Sequence, residues 1–182
     1  DQLTSGDRTG SAVGEAMTFR STGVNVVMGT PSISYTANSG QTGSYDTATY
    51  TIPVSVTSFG NTLYLGQSVQ LASTVSGSNA FAVAFQKSSA PSTDVVSSVT
   101  GTYTLSTSDA TLESGTGYRL DDGSTKHFTV TVNLFGGNTA AAYRVALKQI
   151  QTFTNAAIYS GASPSSLTPT EQFQTNYQNI TK

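Results

Sequence analysis

The chain has 182 residues and a net charge of −2, contains no cysteine, and only 10% of its residues are charged, against about 25% in ordinary soluble domains. This excludes a nucleic-acid footprint, which needs clustered Lys and Arg to neutralise phosphates, and it excludes disulfide frameworks and thiolate metal sites. Nine Tyr, eight Phe and many Val and Thr predict instead a chain that folds, and folds as strand.

Residues 1–15 read as a polar, Gly-punctuated arm. The chain begins with Asp rather than Met, which we read as the mark of a leader or tag already removed. From Ala16 the pattern becomes strand-like: Met17 and Phe19 share one face, and Val24, Val26 and Met28 alternate after Gly23. Ile33 and Tyr35 follow Pro31, which lacks an N–H for a ladder and marks a strand start or an edge. A turn-rich loop leads into Tyr50, Ile52, Val54 and Val56, the inward set of a clear strand. Pro53, on the polar phase, predicts an edge strand or a bulge there. Leu63 to Leu65 and Val69 with Leu71 are short pieces. Phe81, Val83 and Phe85, with alanines between them, predict a closely packed buried strand. One or two short strands end in Tyr103 and Leu105. Residues 106–113 admit a single helical turn with a Ser or Asp cap.

The chain is organised around residues 118–150. Phe128, Val130, Val132 and Leu134 alternate with Thr and Asn, the period of a half-buried strand. Gly136, Gly137 and Asn138 tolerate φ > 0 and let the chain turn back. Tyr143, Val145 and Leu147 then share one face, with Arg144 and Lys148 on the other. This predicts two consecutive strands joined as an antiparallel hairpin. The second runs on through Ile150 and Phe153, and Ile158 with Tyr159 closes the folded part. In the tail, Phe173, Thr175 and Tyr177 are expected on one strand face. No apolar run approaches the roughly 20 residues of a membrane span, and neither a long helix nor a repeat stands out. The expected fold is all-β, an antiparallel Ig-like, Greek-key β-sandwich over 16–159, with an N-terminal arm (1–15) and a C-terminal tail (160–182).

The order Tyr118-Arg119-Leu120-Asp121-Asp122-Gly123, then Lys126-His127-Phe128-Thr129-Val130-Thr131-Val132, a Gly turn, and Ala142-Tyr143-Arg144-Val145-Ala146-Leu147 resembles the last half of immunoglobulin-like modules in bacterial surface proteins. The resemblance spans roughly residues 50–150 and lacks the Cys pair and core Trp of antibody domains. It implies that the Phe128 and Tyr143 strands lie on opposite sheets. It also implies that Tyr143 stands as a tyrosine corner, bonded to upstream backbone, and that the module serves adhesion, spacing or assembly.

Each candidate for chemistry has a plainer reading. His127 is the only histidine; Asp121 and Asp122 are near in sequence, but no Gly-x-Ser-x-Gly elbow is present, so it reads as a solvated strand residue. Asp121-Asp122-Gly123-Ser124 supplies too few oxygens for calcium and reads as a β-turn. Asp109 and Glu113 are too close in sequence to flank a sugar and read as surface charge. Lys87, Lys126 and Lys148 lie off the apolar phases, which argues against an isopeptide crosslink. Leu167 to Glu171 is not a sortase signal, and Asn179-Ile180-Thr181 matches a glycosylation sequon. No enzyme activity, metal or cofactor is expected.

A sandwich has sheet edges that must be protected or filled by a neighbour's strand. The arm with Met17 and Phe19, or the tail with Phe173 and Tyr177, is suited to that role. We therefore expect a non-enzymatic subunit of an extracellular filament, pilus-like, or of a surface layer, a homo-polymer joined by strand exchange, with Met17, Phe19, Val24, Val26, Phe173 and Tyr177 at the assembly interface. The alternative is a monomeric adhesin or carbohydrate-binding surface module that takes a glycan or a host protein; a phage-type coat component is weaker. No nucleic acid and no membrane span enter either reading.

Overall fold

The longest alternating run, Thr47–Phe59, becomes the central strand of one of two packed sheets. The structure is a computed structural model that describes residues 22–37, 46–72, 79–95, 100–113, 117–135, 140–154, 165–167 and 173–180. Its strands are β1 (Gly23–Met28), β2 (Ser32–Thr36), β3 (Thr47–Phe59), β4 (Leu63–Leu65), β5 (Ser68–Leu71), β6 (Asn79–Lys87), β7 (Ala90–Val95), β8 (Thr100–Thr107), β9 (Leu112–Glu113), β10 (Gly117–Leu120), β11 (Thr125–Phe135), β12 (Ala141–Phe153), β13 (Ser165–Leu167) and β14 (Gln178–Ile180). Among the described residues there is no α-helix, and no helix is long and apolar enough to cross a membrane. The cap-like run at Thr107 is a turn: its hydroxyl accepts from the Ala110 N–H (3.1 Å) and donates to the His127 carbonyl (2.7 Å).

The first sheet runs β1-β3-β11-β8, with β2 also on β3. The second runs β5-β6-β12-β4-β10-β9, with β7 on β6 and with β13 and β14 on β12. Pairing is antiparallel except that β5 runs parallel to β6. The inward rows Tyr50, Ile52, Val54, Val56 and Phe128, Val130, Val132, Leu134 face Phe81, Val83, Phe85 and Tyr143, Val145, Leu147 in one core. Phe128 sits between Phe81 (ring centroids 6.1 Å) and Tyr118 (5.6 Å, edge-on).

The expected hairpin does not form. β11 and β12 are consecutive, yet β11 pairs with β3 and β8, while β12 lies in the other sheet, as the resemblance implied. Both strands bury one face, and they bury it toward each other across the core rather than side by side. Pro53 is also not on an edge, since β3 has partners on both sides. Its missing N–H falls where β1 hands over to β2: β1 pairs with residues 54–59 and β2 with 47–51. The Pro53 carbonyl accepts from Gly29 (2.8 Å), so its donor-free nitrogen faces the gap between the two partners.

Two hydroxyls on β3 join the sheets. The Tyr50 phenol donates to the Tyr143 carbonyl at 2.8 Å, and burial raises its pKa well above the ordinary range, so it remains a donor. At the other end, Ser58 Oγ reaches the Asp121 carbonyl at 2.7 Å. There residues 121–124 form a β-turn, closed by the Ser124 N–H on the Asp121 carbonyl, with Gly123 at φ 72°. We expect Tyr50→Phe, which keeps the ring and removes the phenol's bond to the Tyr143 carbonyl, to lower unfolding stability by about 0.5–1.5 kcal/mol in urea titrations.

Candidate functional site

β1 is the edge of the first sheet: among the described residues it pairs with β3 alone. The Gly29 N–H points to β3, and strand backbone alternates direction, so the N–H and C=O groups of Val24, Val26 and Met28 point to the free side. The same three residues turn their side chains toward the core. Val27, on the outward phase, is 55% exposed. The opposite edge, β8, differs: its exposed positions are Thr100, Thr102, Thr104 and Ser106. Val26, Val27 and Met28 line an open groove of about 270 Å³ together with Phe173.

Phe173 reaches that groove from the tail. Residues 173–180 run antiparallel to β12: the Leu147 N–H donates to the Phe173 carbonyl (3.0 Å), and the Thr175 N–H to the Val145 carbonyl (2.9 Å). Beyond them β14 pairs Gln178 with Tyr143 and Ile180 with Ala141. Phe173 and Ile180 join the core, so residues 173–180 of the tail pack into the sandwich. Tyr177 leaves the phase of Phe173. Between the Ala146–Gln174 and Tyr143–Gln178 pairs, three steps on β12 meet four on the tail, a bulge of one residue. Tyr177 lies instead under the Arg144 guanidinium, 4.8 Å from the ring centroid. The structure thus brings Val26 and Phe173 to one groove, with Val24 along the same edge. Met17 and Phe19 lie outside the described residues.

The candidates for chemistry are placed as follows. His127 is exposed, and its Nδ1 lies 2.7 Å from Asp109 Oδ2, while Asp109 Oδ1 accepts the His127 backbone N–H at 2.9 Å. Asp121 and Asp122, the carboxylates nearest in sequence, are engaged elsewhere, with Arg119 (2.6 Å) and the Gly60 N–H (2.7 Å). The Asp109–His127 clasp comes from the β8–β11 register, which sets Thr107 opposite Phe128. A separation of 18 residues carries no local signal for it. Glu113 pairs with Arg119 and Lys148 with Asp94. Lys126 Nζ donates to the Asp109 carbonyl. No group of three or more His, Asp or Glu able to hold a metal occurs among the described residues.

The outer face of the first sheet carries Thr49, Thr51, Ser55 and Thr57 on β3, Thr129, Thr131 and Asn133 on β11, and Thr102, Thr104 and Ser106 on β8. Asn133 ties three strands, accepting from Thr49 (2.8 Å) and donating to Thr102 (3.1 Å). Comparison with protein-family models, curated proteins and solved structures returns no match.

The hydrogen bonds from His127 hold the Asp109 carboxyl below its ordinary value of 3.8. A depressed folded pKa stabilises above the unfolded value and is lost as pH falls through the folded one. We expect acidification below about pH 4 to reduce stability less in Asp109→Asn than in the parent, read as urea midpoints against pH.

Proposed function

We propose that this chain is a non-enzymatic structural subunit of an extracellular filament or surface layer, in which a chain end of one copy adds as a strand to a sheet edge of the next. The observation that carries this reading is the β1 edge. Among the described residues its unpaired backbone groups belong to Val24, Val26 and Met28, which face inward, beside the groove lined by Val26, Val27, Met28 and Phe173. An added strand there gains main-chain hydrogen bonds along one line and apolar seats along the other, the two requirements of β-augmentation. Natural edges that stay unpaired are blunted by lysine, proline or short length; β1 carries none of the first two. The low charge of the whole chain suits close approach of identical copies. The same reading places the module with the Ig-like, Greek-key sandwiches of bacterial surface proteins and the protein outside the cell.

The second reading, a monomeric module for a glycan, draws on the uncharged Ser, Thr and Asn face of the first sheet. Sugar recognition without charge leans on aromatic stacking. The exposed aromatics among the described residues, Tyr35 and Phe59, sit at opposite ends of β3, in register with Ala48 and Gly23. They share no platform, which favours the first reading.

Val27→Lys tests it. Val27 is exposed, so the variant keeps the circular dichroism and melting of the parent. The parent is expected to form large regular polymers by light scattering and electron microscopy, and the variant to remain near the monomer mass of 18.8 kDa. A parent that stays monomeric at every concentration, or a variant that polymerises equally well, overturns the proposal.

A further inference from the structure

We infer that residues 173–180 are the strand that copies exchange, each docking on β12 of a neighbour. The inference rests on the strand-addition reading above, names a donor, and seats that donor in the β12 slot beside the β1 edge rather than along β1 itself.

The segment has the attributes of a removable strand. It follows β12 by main-chain bonds at Val145 and Leu147 and by the β14 pairs, and it seats Phe173 and Ile180 in the core. Among the described residues no strand lies beyond it, so its departure bares the β12 edge and breaks no other ladder. Its fit is incomplete in two places, the extra residue between Gln174 and Gln178 and the buried Tyr177 hydroxyl, which has no partner. Both weaken its hold.

The connection permits exchange. β12 ends at Phe153 and β13 begins at Ser165. β13 itself pairs with Ile150 to Thr152 of β12: while it stays, residues 168–172 reach about 17 Å when extended, and once it is released residues 154–172 reach about 65 Å. A segment entering the neighbour's slot makes the same contacts it makes at home, so the balance between closed and exchanged forms is set by link entropy and protein concentration. The slot also adjoins the acceptor edge. Phe173 lines the groove of Val26, Val27 and Met28, so a donated Phe173 lands against the β1 strand of the receiving copy.

These 182 residues contain no cysteine, which allows a direct test. Ala142 and Asn179 are register partners across the slot. The Ala142 carbonyl accepts from Ser88 on the other side of β12, so the two form a non-hydrogen-bonded pair, with Cα atoms about 4.5 Å apart, inside the disulfide range of about 4.4–6.8 Å. Ala142→Cys and Asn179→Cys are prepared separately, mixed at high concentration and oxidised, with each alone as control. The expected result is a disulfide dimer joining positions 142 and 179 by peptide mass, present only in the mixture. Ala142→Cys/Asn179→Cys in one chain is expected to give a ladder of linked chains at high concentration. A mixture without that link, beside a double variant that closes only within one chain, overturns the exchange. If polymers still form in that case, strand addition stands and its donor is another segment; if none form, both readings fall. A double variant that makes no disulfide at all overturns the slot itself.

Discussion

The inward row of β3 is the surface on which both sheets are assembled. Ala48, Tyr50, Ile52, Val54 and Val56 are buried in sequence, and the two hydroxyls near its ends, Tyr50 and Ser58, donate to carbonyls of the opposite side of the sandwich. Hydrophobic burial holds the sheets together but is indifferent to a small slide of one over the other. The two hydroxyl bonds are directional, and they fix the relative placement that packing leaves free. The Tyr143 end carries the tail slot, and the Ser58 end carries the turn that feeds β11.

Which face of each strand is buried was legible in the sequence; which strands lie side by side was not. Tyr50 to Val56 and Phe128 to Leu134 could be read directly because side-chain direction alternates with a period of two, whereas β6 buries both faces, Ala82 and Ala84 as well as Phe81, Val83 and Phe85. Pairing depends on backbone groups that every residue possesses, so the pattern cannot separate a hairpin from two strands facing each other across a core. β11 and β12 are such a case. Pro53 misled for a related reason: an edge is one way to spare a missing donor, and a change of partner in mid-strand is another. The Asp109–His127 clasp follows from the register of β8 on β11 and is invisible before that register is known.

At the candidate site, the sequence carried the edge residues and lost the phase. Val24 and Val26 alternate plainly, and Phe173 stands out in a polar tail. That Tyr177 parts from Phe173 depends on one extra residue against β12, which no local preference announces. The two sides of the proposed contact therefore differ in legibility: the acceptor is written as a regular strand, and the donor as a polar stretch with few anchors. A donor of that kind stays soluble when detached, whereas a continuous apolar strand would aggregate.

The handover at Pro53 has a mechanical consequence. Peeling β1 from β3 from its Gly23 end breaks ladder bonds one after another until the Gly29–Pro53 bond is reached. Beyond it the next bonds belong to β2, which starts at Ser32 opposite Thr51. A tear travelling along β3 meets a gap there and must start afresh, much as a crack stops at a drilled hole. Under the proposed assembly, β1 can yield while β2, β11 and the core behind them keep their shape.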